Sequence, residues 1–276
     1  MLDSQALGRP LHLAAPPETE LVMMKRIGLS AMRAMKAMSC AIGLVAGAAI
    51  LAPTAAHAQI TRVGSSDHRQ SVGITLGGFF LRGEDSRVDG DVLFIDRESL
   101  VFDIKEFNGA SVSGEWLVGL GDYIEAGVGA GFYQKSVPSV YRELINDDGS
   151  EIEQDLKLRI VPLTATVRFL PIGRGSVEPY VGAGIGAFNW RYSEVGEFVD
   201  FSDDSIFPAR FIAKGTAVGP VILAGIRAPF ADVLSIGGEL RWQKATGDTG
   251  GIDNGFLGDK IDLGGWNAAL TLHFRF

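Results

Sequence analysis

The C-terminal stretch Trp266-Asn267-Ala268-Ala269-Leu270-Thr271-Leu272-His273-Phe274-Arg275-Phe276 decides the fold. Trp266, Ala268, Leu270, Leu272, Phe274 and Phe276 fall on one face, and Asn267, Ala269, Thr271, His273 and Arg275 on the other. That is the period of two of a half-buried strand, not the 3.6 of a helix. Upstream, 233–243 places Leu234, Ile236, Leu240 and Trp242 opposite Ser235, Glu239, Arg241 and Gln243. In 123–133, Ile124, Ala126, Val128, Ala130 and Phe132 oppose Glu125, Gly127, Gly129, Gly131 and Tyr133. In 177–188, Val181, Ala183, Ile185 and Ala187 oppose Tyr180, Gly182, Gly184, Gly186 and Phe188. Less regular strands cover 71–82, 106–118, 155–169 and 214–227, making eight. One of them changes phase: Leu156, Leu158 and Ile160 are apolar at even numbers, Leu163, Ala165, Val167 and Phe169 at odd ones. A β-bulge at Val161-Pro162 would restore the faces. Trp190 also leaves the parity of its strand.

Long connections (83–104, 136–154, 193–213 and 246–262) alternate with short ones (119–121, 170–175 and 228–231). The pattern is all-β: an eight-stranded antiparallel up-and-down transmembrane β-barrel with four long outer loops and three short periplasmic turns. Backbone polar groups in lipid must all be paired, so the sheet has to close. A soluble eight-stranded barrel would read the same alternation with apolar residues inside. Against it, the polar phase is loaded with glycine, which suits a crowded interior. Aromatics also gather at two rims, with Phe80, Phe132, Trp242 and Trp266 at one and Phe169, Phe274 and Phe276 at the other.

Export is written ahead of the barrel. Residues 1–58 read as an N-terminal extension plus a secretory signal peptide, with the signal core in 24–58. Lys25, Arg26, Arg33 and Lys36 form the basic region, Ala41 to Leu51 the apolar stretch, and Ala56-His57-Ala58 the cleavage site, with the cut after Ala58. Met1, Met23 and Met24 are all possible starts. Residues 59–70 then form a short periplasmic tail and 71–276 the barrel. The single cysteine, Cys40, leaves with the signal, so no thiol chemistry or cysteine metal site is expected. The exported part holds 30 acidic and 20 basic residues, which argues against a nucleic-acid partner.

The ending Leu272-His273-Phe274-Arg275-Phe276 resembles the C-terminal signature of bacterial outer-membrane barrels. The resemblance implies that Leu272, Phe274 and Phe276 are read by the barrel-assembly machinery. Glu178 to Gly186 (EPYVGAGIG) and Val161-Pro162-Leu163-Thr164 are similar to strand motifs of the small eight-stranded class: the OmpA-like transmembrane domain and the OmpX-like, opacity-like and OmpW-like proteins. It covers 71–276 and implies an integral protein of the Gram-negative outer membrane, in contact with its lipid and lipopolysaccharide. A following peptidoglycan-binding domain is not expected.

Apolar faces toward lipid would turn Glu115, Glu125, Lys157, Arg159, Arg168, Arg227, Glu239, Arg241 and Arg275 inward. Glu115 and Glu125 flank the 119–121 turn and are expected side by side, neutralised by Arg168 and by Arg227 or Arg275. The expected interior ion-pair network is Glu115, Glu125, Arg168, Arg227, Glu239, Arg241 and Arg275, acting as a plug or as a charged constriction. The four long connections carry 21 acidic and 5 basic residues. They read as solvated loops, with Asn146-Asp147-Asp148-Gly149 and Asp89-Gly90-Asp91 as weak divalent-cation candidates that miss the EF-hand spacing. Val92, Leu93, Phe94, Ile95, Leu100, Val101 and Phe102 make 83–104 unusually apolar, which suggests a hairpin extension, a partner surface or a lateral portal. The Gly-x-Gly-x-Gly strings lack a following helix and so hold no phosphate. After processing only His68 and His273 remain, and neither reaches the outer rim. No enzyme activity, cofactor or metal is therefore expected. The expected role is structural and surface-interacting, with partners met through the loops. The alternative is a narrow pore or an OmpW-like conduit for small solutes, apolar ones included.

Overall fold

A computed structural model describes residues 69–200 and 202–276. The expected signal peptide, its expected cleavage residues Ala56 and Ala58, and His68 lie outside the described residues. Eleven strands run in chain order: β1 (Gln70–Leu81), β2 (Leu100–Val101), β3 (Gly109–Gly119), β4 (Ile124–Ile145), β5 (Glu151–Phe169), β6 (Glu178–Asp200), β7 (Ser205–Pro229), β8 (Leu234–Gln243), β9 (Thr246–Asp248), β10 (Lys260–Asp262) and β11 (Gly265–Arg275). Helix α1 (Val92–Ser99) lies between β1 and β2. Eight strands pair in sequence, β1-β3-β4-β5-β6-β7-β8-β11, and β11 pairs back onto β1, all antiparallel. The ring has no open edge through its lower part, so every backbone group there has a partner on both sides.

Two connections expected as loops are strand. β4, β5, β6 and β7 run on through most of 136–154 and 193–213, leaving tips of only a few residues around Gly149 and Asp204. At 22 to 25 residues, β4, β6 and β7 are about twice the ~9–11 residues a tilted strand needs to cross hydrocarbon. Their surplus stands outside the bilayer as two tall hairpins.

The outer surface divides at a sharp level. Low on the barrel it is apolar: Leu76, Ile185, Leu270 and Val218 are 61%, 65%, 69% and 71% exposed, and only lipid could cover such a belt. The aromatic rows follow from register, since Phe80 pairs with Trp266 and Trp266 with Trp242 across three adjacent strands. Higher up, the outward positions become Gln134, Asp155, Lys157, Arg159, Arg191 and Lys214. The inward ones become Val137, Leu156, Leu158, Ile160, Phe188, Trp190 and Tyr192, all buried.

That inversion corrects three expectations. No bulge sits at Val161-Pro162: β5 keeps one register with β6 from Gln154 to Phe169. The β4–β5 irregularity falls instead between Val140 and Ile145. Even-numbered residues of β5 point inward throughout, apolar above and polar (Thr164, Thr166, Arg168) below, because the solvent outside changes from water to lipid. Lys157 and Arg159 consequently face outward. Trp190 keeps the inward phase of Tyr180 and Phe188 and joins the upper core.

The mouth is closed by the first and last outer connections. Val92, Leu93, Leu100, Phe102, Ile104 and Phe107 turn down among the upper wall residues, so the apolar content of 83–104 is mainly a plug rather than a surface. Asp91 knits the plug. It caps α1 by accepting from the Phe94 amide (3.1 Å), pairs with Arg87, and accepts from the Asp262 amide of β10 (2.7 Å). Asp262 in turn pairs with Arg82 at 3.0 Å.

Candidate functional site

Below the plug, the interior of the belt is built from inward residues whose cross-strand neighbours are glycine. Arg168 pairs with Gly182, Tyr180 with Gly225, Arg227 with Gly237, and Gly73 lies between Glu115 and His273. A Cβ at Gly73 would stand 2.6 Å from His273 Nδ1 and 3.3 Å from Glu115 Cγ. The excess glycine therefore makes room in a narrow barrel for long charged side chains.

The charges form two tiers. In the upper one, Arg168 Nη2 reaches Glu115 Oε2 at 2.6 Å and Glu239 Oε2 at 2.9 Å. Arg241 Nη2 joins the same carboxylates at 2.7 Å (Glu239) and 3.4 Å (Glu115). The Tyr180 hydroxyl donates to Glu239 at 3.1 Å, and its ring lies 4.8 Å from the Arg168 guanidinium. His273 is buried with Nε2 3.6 Å from Glu115 Oε1. In the lower tier, Arg227 bridges Glu125 (2.5 Å) and Glu178 (2.6 Å). Arg174 reaches Glu125 at 3.1 Å and Arg275 reaches Glu178 at 2.8 Å. Each carboxylate of the two tiers has at least two cationic neighbours, which offsets a desolvation cost of several kcal/mol per ion.

Glu115 and Glu125 are not side by side. The turn spans 120–123, so Glu125 lies opposite Gly119 while Glu115 pairs with Gly129. Four residues separate their levels, roughly 13 Å along a strand. Glu178, Arg174 and Tyr180 complete the tiers without having been singled out. Parity could have found Glu178, which shares the inward phase of Tyr180 and pairs directly with Arg227. Arg174 sits in a turn, where no period points anywhere.

Between the upper tier and the apolar core lies a cavity of about 40 Å³, lined by Thr75, Ser113, Thr164, Tyr133, Arg241 and Gln243 among others. It has room for a water or two, not for a solute. Of the cation candidates, Asp91 is engaged in the plug, and Asp148 accepts from the Ser150 amide (2.9 Å) and hydroxyl (2.7 Å). Among the described residues, no three His, Cys, Asp or Glu side chains are grouped to hold a metal ion. Leu272, Phe274 and Phe276 are exposed on the lipid side.

A closed, even-stranded antiparallel barrel with an apolar belt between aromatic rows is an integral β-barrel of the outer-membrane type. Solved structures of small outer-membrane barrels are similar to it. OprG from Pseudomonas aeruginosa aligns at 11% identity and a TM-score of 0.45, over 77% of this chain and 99% of that one. Neisserial surface protein A aligns at 11% identity and a TM-score of 0.41, over 75% and 96%. The N-terminal barrel domain of Pseudomonas aeruginosa OprF aligns at 14% identity and a TM-score of 0.37, over 76% and 98%. No protein-family model matches the sequence, and no curated protein matches it.

Proposed function

We propose that the chain is a closed, non-catalytic barrel that displays its outer hairpins and loops to surface partners. The observation that carries this reading is the filling of the interior at two heights. The ion-pair tiers occupy the belt, and the apolar core with its loop plug occupies the mouth. Such a lumen supports a plug role for Glu115, Glu125, Arg168, Arg227, Glu239, Arg241 and Arg275, and speaks against the pore reading. The hairpins around Asp147, Asp148, Asp203 and Asp204 are acidic and stand clear of the bilayer, where a cationic or polar partner meets them first. Lipid and lipopolysaccharide surround the belt, and Leu272, Phe274 and Phe276 present the assembly signal.

The test is electrical. In a planar bilayer under fixed voltage the folded protein should pass no unitary current, folding being verified by heat-modifiable gel migration. Reproducible steps from folded protein would overturn the closed-barrel reading and make the tiers selectivity determinants.

A further inference from the structure

We propose that Asp96 and Glu194 share a proton and so form a latch that holds the loop plug in the barrel mouth, loosening it as the outside becomes alkaline. Asp96 is on α1, part of the plug, and Tyr192 and Glu194 are on the inward face of β6, part of the wall; the Tyr192 hydroxyl, bonded to Asp96, joins the two. Only 3% and 5% of these residues is exposed. The two carboxyls lie within hydrogen-bonding reach of one another and of the Tyr192 hydroxyl, an approach that a proton held between them would relieve. The Tyr192 hydroxyl donates to Asp96 Oδ2 at 3.1 Å, while Glu194 Oε1 is buried with no partner.

Nothing cationic neutralises the pair. Among the described residues neither carboxyl is in an ion pair, and every nearby arginine is committed elsewhere: Arg87 to Asp91, Arg97 to Glu84, and Arg142 to the carbonyls of Arg97 and Leu100. The remaining titratable neighbours are Tyr192 on β6, Tyr141 on β4 and Asp91 at the start of α1. From the last outer connection the Phe256 ring approaches, 5.8 Å from that of Tyr192. The site lies above the belt, since Arg191 and Lys214, paired across β6 and β7, face outward just below it. Burial pushes the Asp96 carboxyl up to about 7, against the pull of its bonds to Glu194 and Tyr192, and the Asp91 charge adds to the rise. Burial first, then Asp96, raises Glu194 well above the usual carboxylate range.

The sign follows by linkage. The seated plug holds a proton that a released loop gives up at ordinary carboxylate values. The seated state is therefore most favoured below those values and loses its advantage as pH climbs to about 7, the raised Glu194 carboxyl acting in the same direction. The ion-pair tiers below are untouched, so current stays absent either way and the closed-barrel reading can fail or hold independently.

Amide hydrogen exchange of the α1 segment, read by mass spectrometry on protein refolded in lipid bilayers and corrected for intrinsic rates, tests the latch. Between about pH 5 and about pH 8, protection should fall at least about tenfold in the wild type, the ratio set by one or more units of pKa difference. Asp96→Asn, and independently Glu194→Gln, should flatten that dependence. Equal protection at the two pH values would overturn the proposal, as would a variant that keeps the full dependence. Restoration of protection at alkaline pH by calcium alone would overturn it too, by reassigning the carboxyls to a cation.

Discussion

Replacing Arg168 with alanine should lower the stability of the refolded barrel by about 3–5 kcal/mol, the usual cost of stranding a buried charge. Arg168 is fully buried and joins Glu115 and Glu239 through one nitrogen, leaving Arg241 alone to neutralise both carboxylates after the change. Tyr180 also loses the cation beside its ring. Arg275→Ala provides the contrast. Its side chain is partly exposed, and Glu178 retains Arg227, so about 1 kcal/mol or less is expected. Urea unfolding of both variants in lipid vesicles measures the difference. Equal midpoints would remove Arg168 from the centre of the tier.

The second large effect is expected at Trp190. Truncation to alanine should cost about 3–5 kcal/mol, because a large indole vanishes from a dense core and its neighbours cannot all close in. Trp190 is 1% exposed, and Gly215 and Gly247 lie against its ring, positions that cannot refill the space. Trp116 is the same residue type, is 47% exposed on the belt, and faces fluid lipid. Trp116→Ala should therefore lose far less in the same unfolding assay. A Trp190 variant no weaker than the Trp116 variant would mean that the mouth is not a packed core.

Much of this architecture was legible from alternation alone, because one face of each strand had to differ from the other wherever it stood. What alternation does not carry is its sign. Leu156, Leu158 and Ile160 look like a slipped register only if lipid is assumed along the whole strand. The charges in the opposite phase, Asp155, Lys157 and Arg159, were the available clue that water had replaced lipid. Parity likewise placed Arg168, Arg227 and Glu239 inside. It could not give their heights, which depend on turn length: one short turn moved Glu115 four residues from the level of Glu125. The approach of Asp96 to Tyr192 and Glu194 had no local trace, since β2, β3, β4 and β5 all fold between α1 and β6 in the chain.

The level at which the wall inverts also acts as a depth gauge. Were the barrel to sink by one pleat, roughly 7 Å along a strand, Arg159, Arg191 and Lys214 would enter hydrocarbon at up to about 2–4 kcal/mol each near the midplane. Were it to rise by the same step, the rows at Phe169 and Phe274 would leave the lower interface and their neighbours would thin the bilayer. Vertical position is thus held from both sides by side chains that take no part in closing the lumen. Membranes of mismatched thickness should strain the protein at that boundary first, at the foot of the tall hairpins.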